Sequence, residues 1–291
     1  MDISWADRID LFRFALSAAL IAGLVCPLIG VFLLLRRTSF YGIALPQFAA
    51  AGVVFGFVLL PWWAQHIGLG DVTLEMALSD THAVMNYHLA WAALFTFGGL
   101  FALVWLGRRG GSEIGRVAAA FAIANAATYF FGRLSPVGKS FVDELLQGEI
   151  LGVGVHELET IGVLLGGVLV CIFVFHRDLV LVSFDREFAL VLGKRVVAFE
   201  TLLNVLVGVG VAAGTMTLGP TILFGLIVLP PLAARPFASS MNRFLLFSSL
   251  LGVLAVVGGV VVSFEWDFPL GASVVAVAAL ELLPALCVRR N

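Results

Sequence analysis

The sequence predicts an all-α, polytopic membrane protein, and three of its features support this prediction. Hydrophobic residues make up 61% of the 291 residues and charged residues only 12%, and the mean hydropathy is +1.07. Soluble domains have about 45–50% apolar and about 25% charged residues. The apolar residues also lie in long runs, without the strict alternation that is typical of β-strands. We therefore expect one transmembrane domain over residues 1–291.

Nine apolar runs are candidates for spanning helices, because a helix needs about 20 mostly apolar residues to cross a bilayer. Polar segments separate most of them, but the sixth and seventh are parted only by "TMTLGP". The predicted spans are 14–35, 41–60, 89–107, 114–131, 158–176, 197–214, 218–234, 244–264 and 270–288.

The positions of Lys and Arg support this division and predict the orientation. When the turn at 36–37 is placed in the cytoplasm and the side alternates at each span, 13 of the 17 basic residues fall on the cytoplasmic side. The basic residues left outside are Arg8, Arg13, Arg133 and Lys139. Because cytoplasmic loops are enriched in Lys and Arg, we expect the N-terminus outside and the C-terminus in the cytoplasm.

The segment 176–196, "HRDLVLVSFDREFALVLGKRV", is the only sizeable loop predicted on the cytoplasmic side. Its middle part has apolar and charged residues at helical spacing, and Ser183 or Asp185 can cap the first turn. A short amphipathic helix at this face is what a membrane subunit needs to bind a cytoplasmic partner. A helix that merely lies at the membrane surface is the alternative.

Polar groups inside the predicted spans are scarce, and each is a candidate for a role in transport because an ionisable group in a bilayer is costly. Glu281 lies in the inner third of the last span, and Glu200 lies at the inner end of the sixth. Asn125 and Asn204 lie within spans, where hydrogen bonding between helices is the simpler explanation.

The stretch "GTMTLGPTILFGLIVLPPLAARPF" (214–237) is dense in Gly and Pro and includes Gly219, Pro220 and Pro230. Such breaks are tolerated in a membrane where the backbone is buried in protein or lines a cavity, and interrupted helices often frame transporter sites. Close helix packing at small residues is the alternative.

Candidate metal ligands are weak, and no nucleotide site is indicated. Asp80, His82 and His88 lie near the end of the long outer loop 61–88, and such side chains can bind Zn or Mn. Their spacing matches no compact metal motif, so ordinary loop residues are the alternative. The segment "RLSPVGKS" (133–140) ends like a phosphate-binding loop but has Arg133 where that pattern needs Gly. We therefore expect no cofactor in this chain.

Five segments, in order along the chain, together resemble the membrane subunit of ABC-type uptake systems for zinc, manganese and related divalent metals. The resemblance covers most of the chain. The segments are "GLVCPLIGVFLLLRRTSFYGIALPQFAAAGV" (23–53), "LLQGEILGV" (145–153), "FDREFALVLG" (184–193), "LGPTILFGLIVLPPLAAR" (218–235) and "WDFPLGASVV" (266–275).

The resemblance implies a transport subunit that is not itself an enzyme, in the cytoplasmic membrane of a prokaryote. It implies a homodimer surrounded by lipid, two cytoplasmic ATPase subunits that hold ATP and Mg, an outer binding protein that delivers the metal, and no nucleic-acid partner. The residues that match the ATPase-docking stretch are Asp185, Glu187, Phe188, Ala189 and Gly193. The candidates for the translocation path are Ile43, Gln47, Gly219, Pro220, Pro230, Asp267 and Glu281.

One departure from the family pattern concerns the metal itself. The family commonly has an acid and a histidine four residues apart at the start of the second helix, where one helical turn places them on one face. This chain has Ile43 and Gln47 there. Because an apolar group cannot ligate and an amide ligates weakly, three explanations stay open: a cargo such as a chelate, a metal that passes without a tight site, or a member without transport.

The function predicted from the sequence is the permease subunit of an ABC importer for Zn, Mn or Fe, or for a metal complex. A permease of the siderophore or cobalamin type is the first alternative, although such proteins are usually longer, with about ten helices. A membrane scaffold subunit that does not transport is the second.

Overall fold

A computed structural model of the chain describes residues 5–66, 85–108, 110–135, 145 and 153–287. Within these ranges the regular structure is helical throughout. The helices are α1 (Trp5–Leu11), α2 (Arg13–Leu35), α3 (Tyr41–His66), α4 (Met85–Gly107), α5 (Glu113–Leu134), α6 (Val155–Val174), α7 (His176–Phe184), α8 (Arg186–Val191), α9 (Val196–Ala234), α10 (Met241–Trp266), α11 (Leu270–Leu280) and α12 (Leu282–Cys287), with a 3₁₀ turn (Arg235–Phe237) after α9.

The described residues include seven helices that are long and apolar enough to cross a membrane. One of them, α9, is a pair of arms, so it accounts for two of the predicted spans. The shorter apolar helix α11 corresponds to the ninth. The prediction of an all-α protein with about nine spans is therefore confirmed, whereas the orientation in the membrane stays a prediction.

Helix α9 is broken at Gly219, where φ is 76° and ψ is 162°. The chain folds back at this point, since a Cβ added to Gly214 would lie 2.6 Å from a methyl carbon of Leu223. The two predicted spans were thus correct, but their boundary was not. The stretch 215–217 is helical instead of forming a connection, because Gly219 supplies the positive φ at which the chain reverses.

The last predicted span is also interrupted. Over the described residues 270–287 the structure forms α11 and α12, with Glu281 at the junction. Glu281 has helical backbone angles, and its N–H donates to the carbonyl of Val277 at 3.1 Å, so it lies within the last span as predicted. Pro284 follows three residues later, and a proline ring disfavours continuation of the helix before it.

Helices α2, α3 and α9 form the centre of the bundle, and α5 lies at its edge. In the most apolar 18-residue stretch of α2, 72% is buried inside the bundle, compared with 17% in the corresponding stretch of α5. The central helices meet at glycines: a Cβ added to Gly30 would overlap the carbonyl oxygen of Ile227 in α9. A Cβ on Gly23 would lie 2.9 Å from the carbonyl oxygen of Gly252 in α10. Small residues allow this backbone approach between helices in membranes.

The turn between α2 and α3 closes with a Schellman motif. The N–H of Thr38 donates to the carbonyl of Leu33 (2.9 Å), and the N–H of Arg37 donates to that of Leu34 (3.2 Å). Arg37 occupies the left-handed position of this motif, with φ 60°, where glycine is usual. The two arginines of the turn thus end α2 and fix the entry to α3.

Cross-links between side chains place the 36–40 turn and the 176–196 segment at the same end of the bundle. Arg36 is hydrogen-bonded to Asn204 on α9, and His176 to Asn242 at the start of α10. We call this end the arginine end. The turn between α10 and α11 lies at the opposite end, one length of α10 away, and Gly219 lies between the two ends, 15 residues beyond Asn204 along α9.

Candidate docking and translocation residues

The 176–196 segment folds as two short helices, α7 and α8, whose ends are set by specific residues. Asp185 caps α8, since its Oδ1 accepts a hydrogen bond from the N–H of Phe188 at 2.9 Å. Gly193 ends α8 with φ 71°, and the next N–H, of Lys194, donates to the carbonyl of Ala189 at 3.0 Å. The sequence left Ser183 and Asp185 open as caps, and the structure selects Asp185.

A small apolar cluster anchors α8 to the bundle. Ala189 is fully buried and packs with Val182 of α7 and Val196 at the start of α9. Burial of these side chains fixes which face of α8 points inward. The remaining faces of α8 therefore point away from the bundle.

The outward faces of the segment carry large apolar side chains next to acidic ones. Val191 is 83% exposed and Phe184 is 80% exposed, and Phe188 is also exposed. Asp185 and Glu187, in the same short segment, are exposed as well. Together these five residues form what we call the docking surface. An exposed apolar patch with polar residues at its rim is typical of a protein interaction site.

Two ion pairs hold the segment in place. The Nε of Arg186 in α8 lies 2.9 Å from the Oε1 of Glu200 in α9. The Nζ of Lys194 lies 2.7 Å from the Oδ1 of Asp178 in α7. Each pair bridges two elements of the segment or connects it to α9, so the docking surface is held against the bundle.

Among the predicted path residues, Gln47 and Ile43 are half-buried in the first turns of α3. The Oε1 atom of Gln47 is buried and has no hydrogen-bond partner among the described residues. A buried amide oxygen without a partner costs free energy. A hydrated space or a passing cation would satisfy it.

The Gly and Pro candidates form the break in α9. Gly219 and Pro220 are buried at the fold-back point, and Pro230 is buried near the other end of the second arm. Buried backbone at a break fits the requirement that irregular structure within a membrane be enclosed by protein. Thr215, four residues before Gly219, is fully buried, and its hydroxyl has no partner among the described residues.

The two acidic candidates lie far apart. Glu281 is half-buried at the junction of α11 and α12, and its Oε2 has no partner among the described residues. Asp267 is exposed at the opposite end, where it ends α10 in a left-handed conformation with φ 55°. The structure does not bring them together, and Asp267 occupies a turn instead of a membrane interior.

The structure corrects the interpretation of His88. His88 lies on α4 and is fully buried, not in a loop. Its ring stacks on Phe57 at 3.9 Å between centroids, and its Nδ1 lies 3.3 Å from the carbonyl oxygen of Val53. Asp80 and His82 lie outside the described residues. Within the described part of the chain, no three His, Cys, Asp or Glu side chains are grouped as metal ligands.

Sequence reasoning missed the long-range links at the arginine end. Asn204 accepts a hydrogen bond from the Nη1 of Arg36 at 3.2 Å, and Glu200 binds Arg186. One signal was available: Glu200 and Asn204 are four residues apart on an otherwise apolar helix, and this spacing places both on one face. Their partners are distant in sequence, so only the fold could identify them.

The sequence is similar to those of known membrane transport proteins. Residues 8–289 match the family model described as the ABC 3 transport family. The manganese import system permease protein ScaB of Streptococcus gordonii is 27% identical over 92% of this chain and 88% of its own. The high-affinity zinc uptake system membrane protein ZnuB of Haemophilus influenzae is 24% identical over 95% of this chain and 98% of its own.

A solved structure has the same fold. The structure of PsaBC from Streptococcus pneumoniae in complex with Fab superimposes with a TM-score of 0.75 at 20% identity, over 97% of this chain and 94% of that one. The resemblance drawn from the five segments and the predicted location, a bacterial membrane crossed several times, are thus confirmed. The family model spans nearly the whole sequence, and this chain belongs to the ABC 3 transport family.

Proposed function

We propose that two copies of this chain form the membrane path of an ABC importer that carries a divalent transition metal, Zn, Mn or Fe, or its complex, into the cell. The observation that carries the proposal is the docking surface, which is rigidly held yet uncovered on the arginine end of a family member. Cytoplasmic ATPase subunits are its partner, and an outer binding protein delivers the cargo to the opposite end.

In this proposal the docking residues have separate tasks. Ala189 fixes the orientation of α8 through burial, and Gly193 ends the helix. Phe188 supplies exposed apolar area, which dominates the energy of most interfaces. The carboxylates of Asp185 and Glu187 select a partner surface with basic groups, because charge complementarity favours the correct partner and register.

The metal cargo is supported by the relatives, which are named for manganese and zinc uptake. The path is proposed to run beside α3 and the broken helix α9, past Ile43, Gln47, Gly219, Pro220 and Pro230, with Asp267 at its outer mouth and Glu281 nearer the arginine end. The unpaired Oε1 of Gln47 supports this course.

Reconstitution with the ATPase subunit tests the docking assignment. The variant D185K/E187K should lose most of its ATPase on co-purification, because two attractive charges become repulsive. Asp185 is also a helix cap, so the variant D185N/E187Q, which keeps a capping side chain, isolates the effect of charge. The reversal E159K, at an exposed acid near the start of α6, is the matched control and should bind normally. Normal binding by D185K/E187K would overturn the assignment.

A chelated metal is a second candidate cargo, and the pair Ile43 and Gln47 favours it. A side chain without ligating atoms and an amide cannot replace all the water around a bare cation, whereas a chelate keeps its own ligands. ATP hydrolysis by the reconstituted complex, measured with free Zn, Mn, Fe and Co and with their chelates, distinguishes the two cargoes. Hydrolysis unaffected by any metal or chelate would favour the scaffold without transport.

A further inference from the structure

Four side chains at the arginine end form two polar pairs, one turn of α9 apart, between the docking segment and the turn that starts α3. Arg186 of α8 binds Glu200 of α9 at 2.9 Å. Asn204 lies one helical turn further along α9 and accepts a hydrogen bond from Arg36 at 3.2 Å. We call these four residues the polar relay. It crosses three elements that are separated by up to 168 positions in sequence.

Three of the four relay side chains lie where polar contacts are stronger than on an open surface, while Arg186 is 54% exposed. The Glu200 side chain is 24% exposed, and Arg36 and Asn204 are half-buried. Partial burial lowers the pKa of the Arg36 guanidinium, and the nearby Glu200 carboxylate acts in the opposite direction. Glu200 therefore acts electrostatically on both arginines, so a movement of Arg186 changes the environment of Arg36.

The turn at 36–40, which contains Arg36, is held by several backbone hydrogen bonds. Arg36 and Arg37 are held by the Schellman hydrogen bonds described above, and the N–H of Tyr41, the first residue of α3, donates to the carbonyl of Thr38 at 2.9 Å. Gly42 follows, and a Cβ there would lie 3.0 Å from side-chain atoms of both Ile227 and Val228. A displacement of Arg36 is therefore passed to the start of α3 instead of being absorbed by a flexible loop.

We propose that the polar relay transmits movement of the docking segment to the first turns of α3, with Glu200 and Asn204 as positioning residues. This inference rests on the proposed function, because it assumes that the ATPase binds the docking surface. The relay adds a route from that surface to Gln47, which lies six residues after Tyr41.

The test separates transmission from docking. The variant N204L removes the acceptor for Arg36 but keeps a similar volume and leaves the docking surface unchanged. In proteoliposomes with the ATPase, N204L should bind ATPase and hydrolyse ATP at the basal rate. Metal carried per ATP hydrolysed should fall at least about fivefold, which is the low end of common coupling between sites. N204D keeps an acceptor and should restore the ratio.

The matched control is T201V, on the same helix. Among the described residues, the hydroxyl of Thr201 bonds within its own helix, to the carbonyl of Val197 at 2.8 Å, so its loss should leave the transport ratio unchanged. A second readout is amide hydrogen exchange over residues 38–44. Binding of the ATPase should slow this exchange in the wild type and in T201V, but not in N204L.

The outcomes are distinct. A transport ratio and an exchange response in N204L equal to those of the wild type would overturn the relay while leaving the docking assignment in place. An equal loss in N204D and N204L would also overturn it, since the acceptor would then be irrelevant. Failure of the wild-type chain to bind any ATPase would overturn the proposed function and the relay together.

Discussion

The arginine end and the middle of the bundle are held together in opposite ways. At the arginine end, charged and amide side chains are paired across elements, by the polar relay and by the ion pair of Lys194 with Asp178. In the middle, helices touch backbone to backbone at glycines, while the side-chain oxygens of Gln47 and Thr215 have no partner among the described residues. Packing at these glycines therefore stabilises the middle, where these two oxygens contribute no hydrogen bond among the described residues.

The largest expected effect is at the glycine contact between α2 and α9. Gly30→Ala should destabilise the protein by about 1–3 kcal/mol, because the carbonyl of Ile227 occupies the space of the new methyl group. The apparent melting temperature in detergent measures this loss. Gly167→Ala on α6 is the control, since nothing lies within 4 Å of the added carbon. Equal melting temperatures for the two variants would contradict the role assigned to backbone contact.

Gly193 and Arg37 at the arginine end both have left-handed backbone, and substitutions at them should change the stability in opposite directions. Gly193→Ala should cost roughly 1–2 kcal/mol, because an L-residue is strained in this conformation. Arg37→Gly should relieve similar strain at the first turn, provided that the Schellman hydrogen bonds remain. Unfolding of both variants under identical detergent conditions checks the signs. Destabilisation by Arg37→Gly would show that the Arg37 side chain stabilises the turn by more than its backbone costs.

Gln47 tests whether the unpaired oxygens of the middle serve transport. Gln47→His should raise the apparent affinity for Zn or Mn by about tenfold, equivalent to about 1.4 kcal/mol, because imidazole is a better ligand than an amide. Transport measured over a series of metal concentrations gives this value. Uptake identical to that of the wild type would assign Gln47 to packing.

Gln47→Leu is the companion variant. Because the Oε1 atom has no partner to lose among the described residues, the melting temperature should stay close to that of the wild type or rise slightly. A clear loss of stability would reveal a contact that serves the fold and would weaken the contrast between the two regions.

The smallest expected effect is at the partly exposed ion pair of the docking segment. Lys194→Gln should cost less than about 1 kcal/mol, because such pairs are weakened by solvent. The cost should shrink as salt is added, since ions screen exposed charges. Thermal unfolding at low and high salt measures this. A cost independent of salt would mean that the Lys194 side chain acts through packing.

Local pattern predicted the elements of the fold, whereas contacts between distant segments had to come from the structure. The spans follow from the lengths of the apolar runs, and the density of Gly and Pro indicated a break. The backbone angles identify Gly219 as the site of this break. Asp185 could be foreseen as a cap because capping is a local interaction.

Sequence reasoning about the candidate site failed where burial depends on neighbours. His88 was expected in a loop, because α4 begins at Met85, before the apolar run becomes evident. Its burial results from the approach of α3 at Gly56, whose added Cβ would lie 2.8 Å from the imidazole Nδ1. The hydrogen bond between Arg36 and Asn204 joins residues far apart along the chain, and no local pattern encodes it.

The break at Gly219 also has a consequence for biosynthesis. Between Glu200 and Arg235 the chain carries no charged residue, so the tip of the fold-back has no polar loop to export. Translocating charged groups is the costly part of inserting a hairpin. With the arginine end on the cytoplasmic side, as the positions of Lys and Arg predict, both arms would enter the lipid together from the cytoplasm, and Arg235 would hold the end of the second arm at that surface.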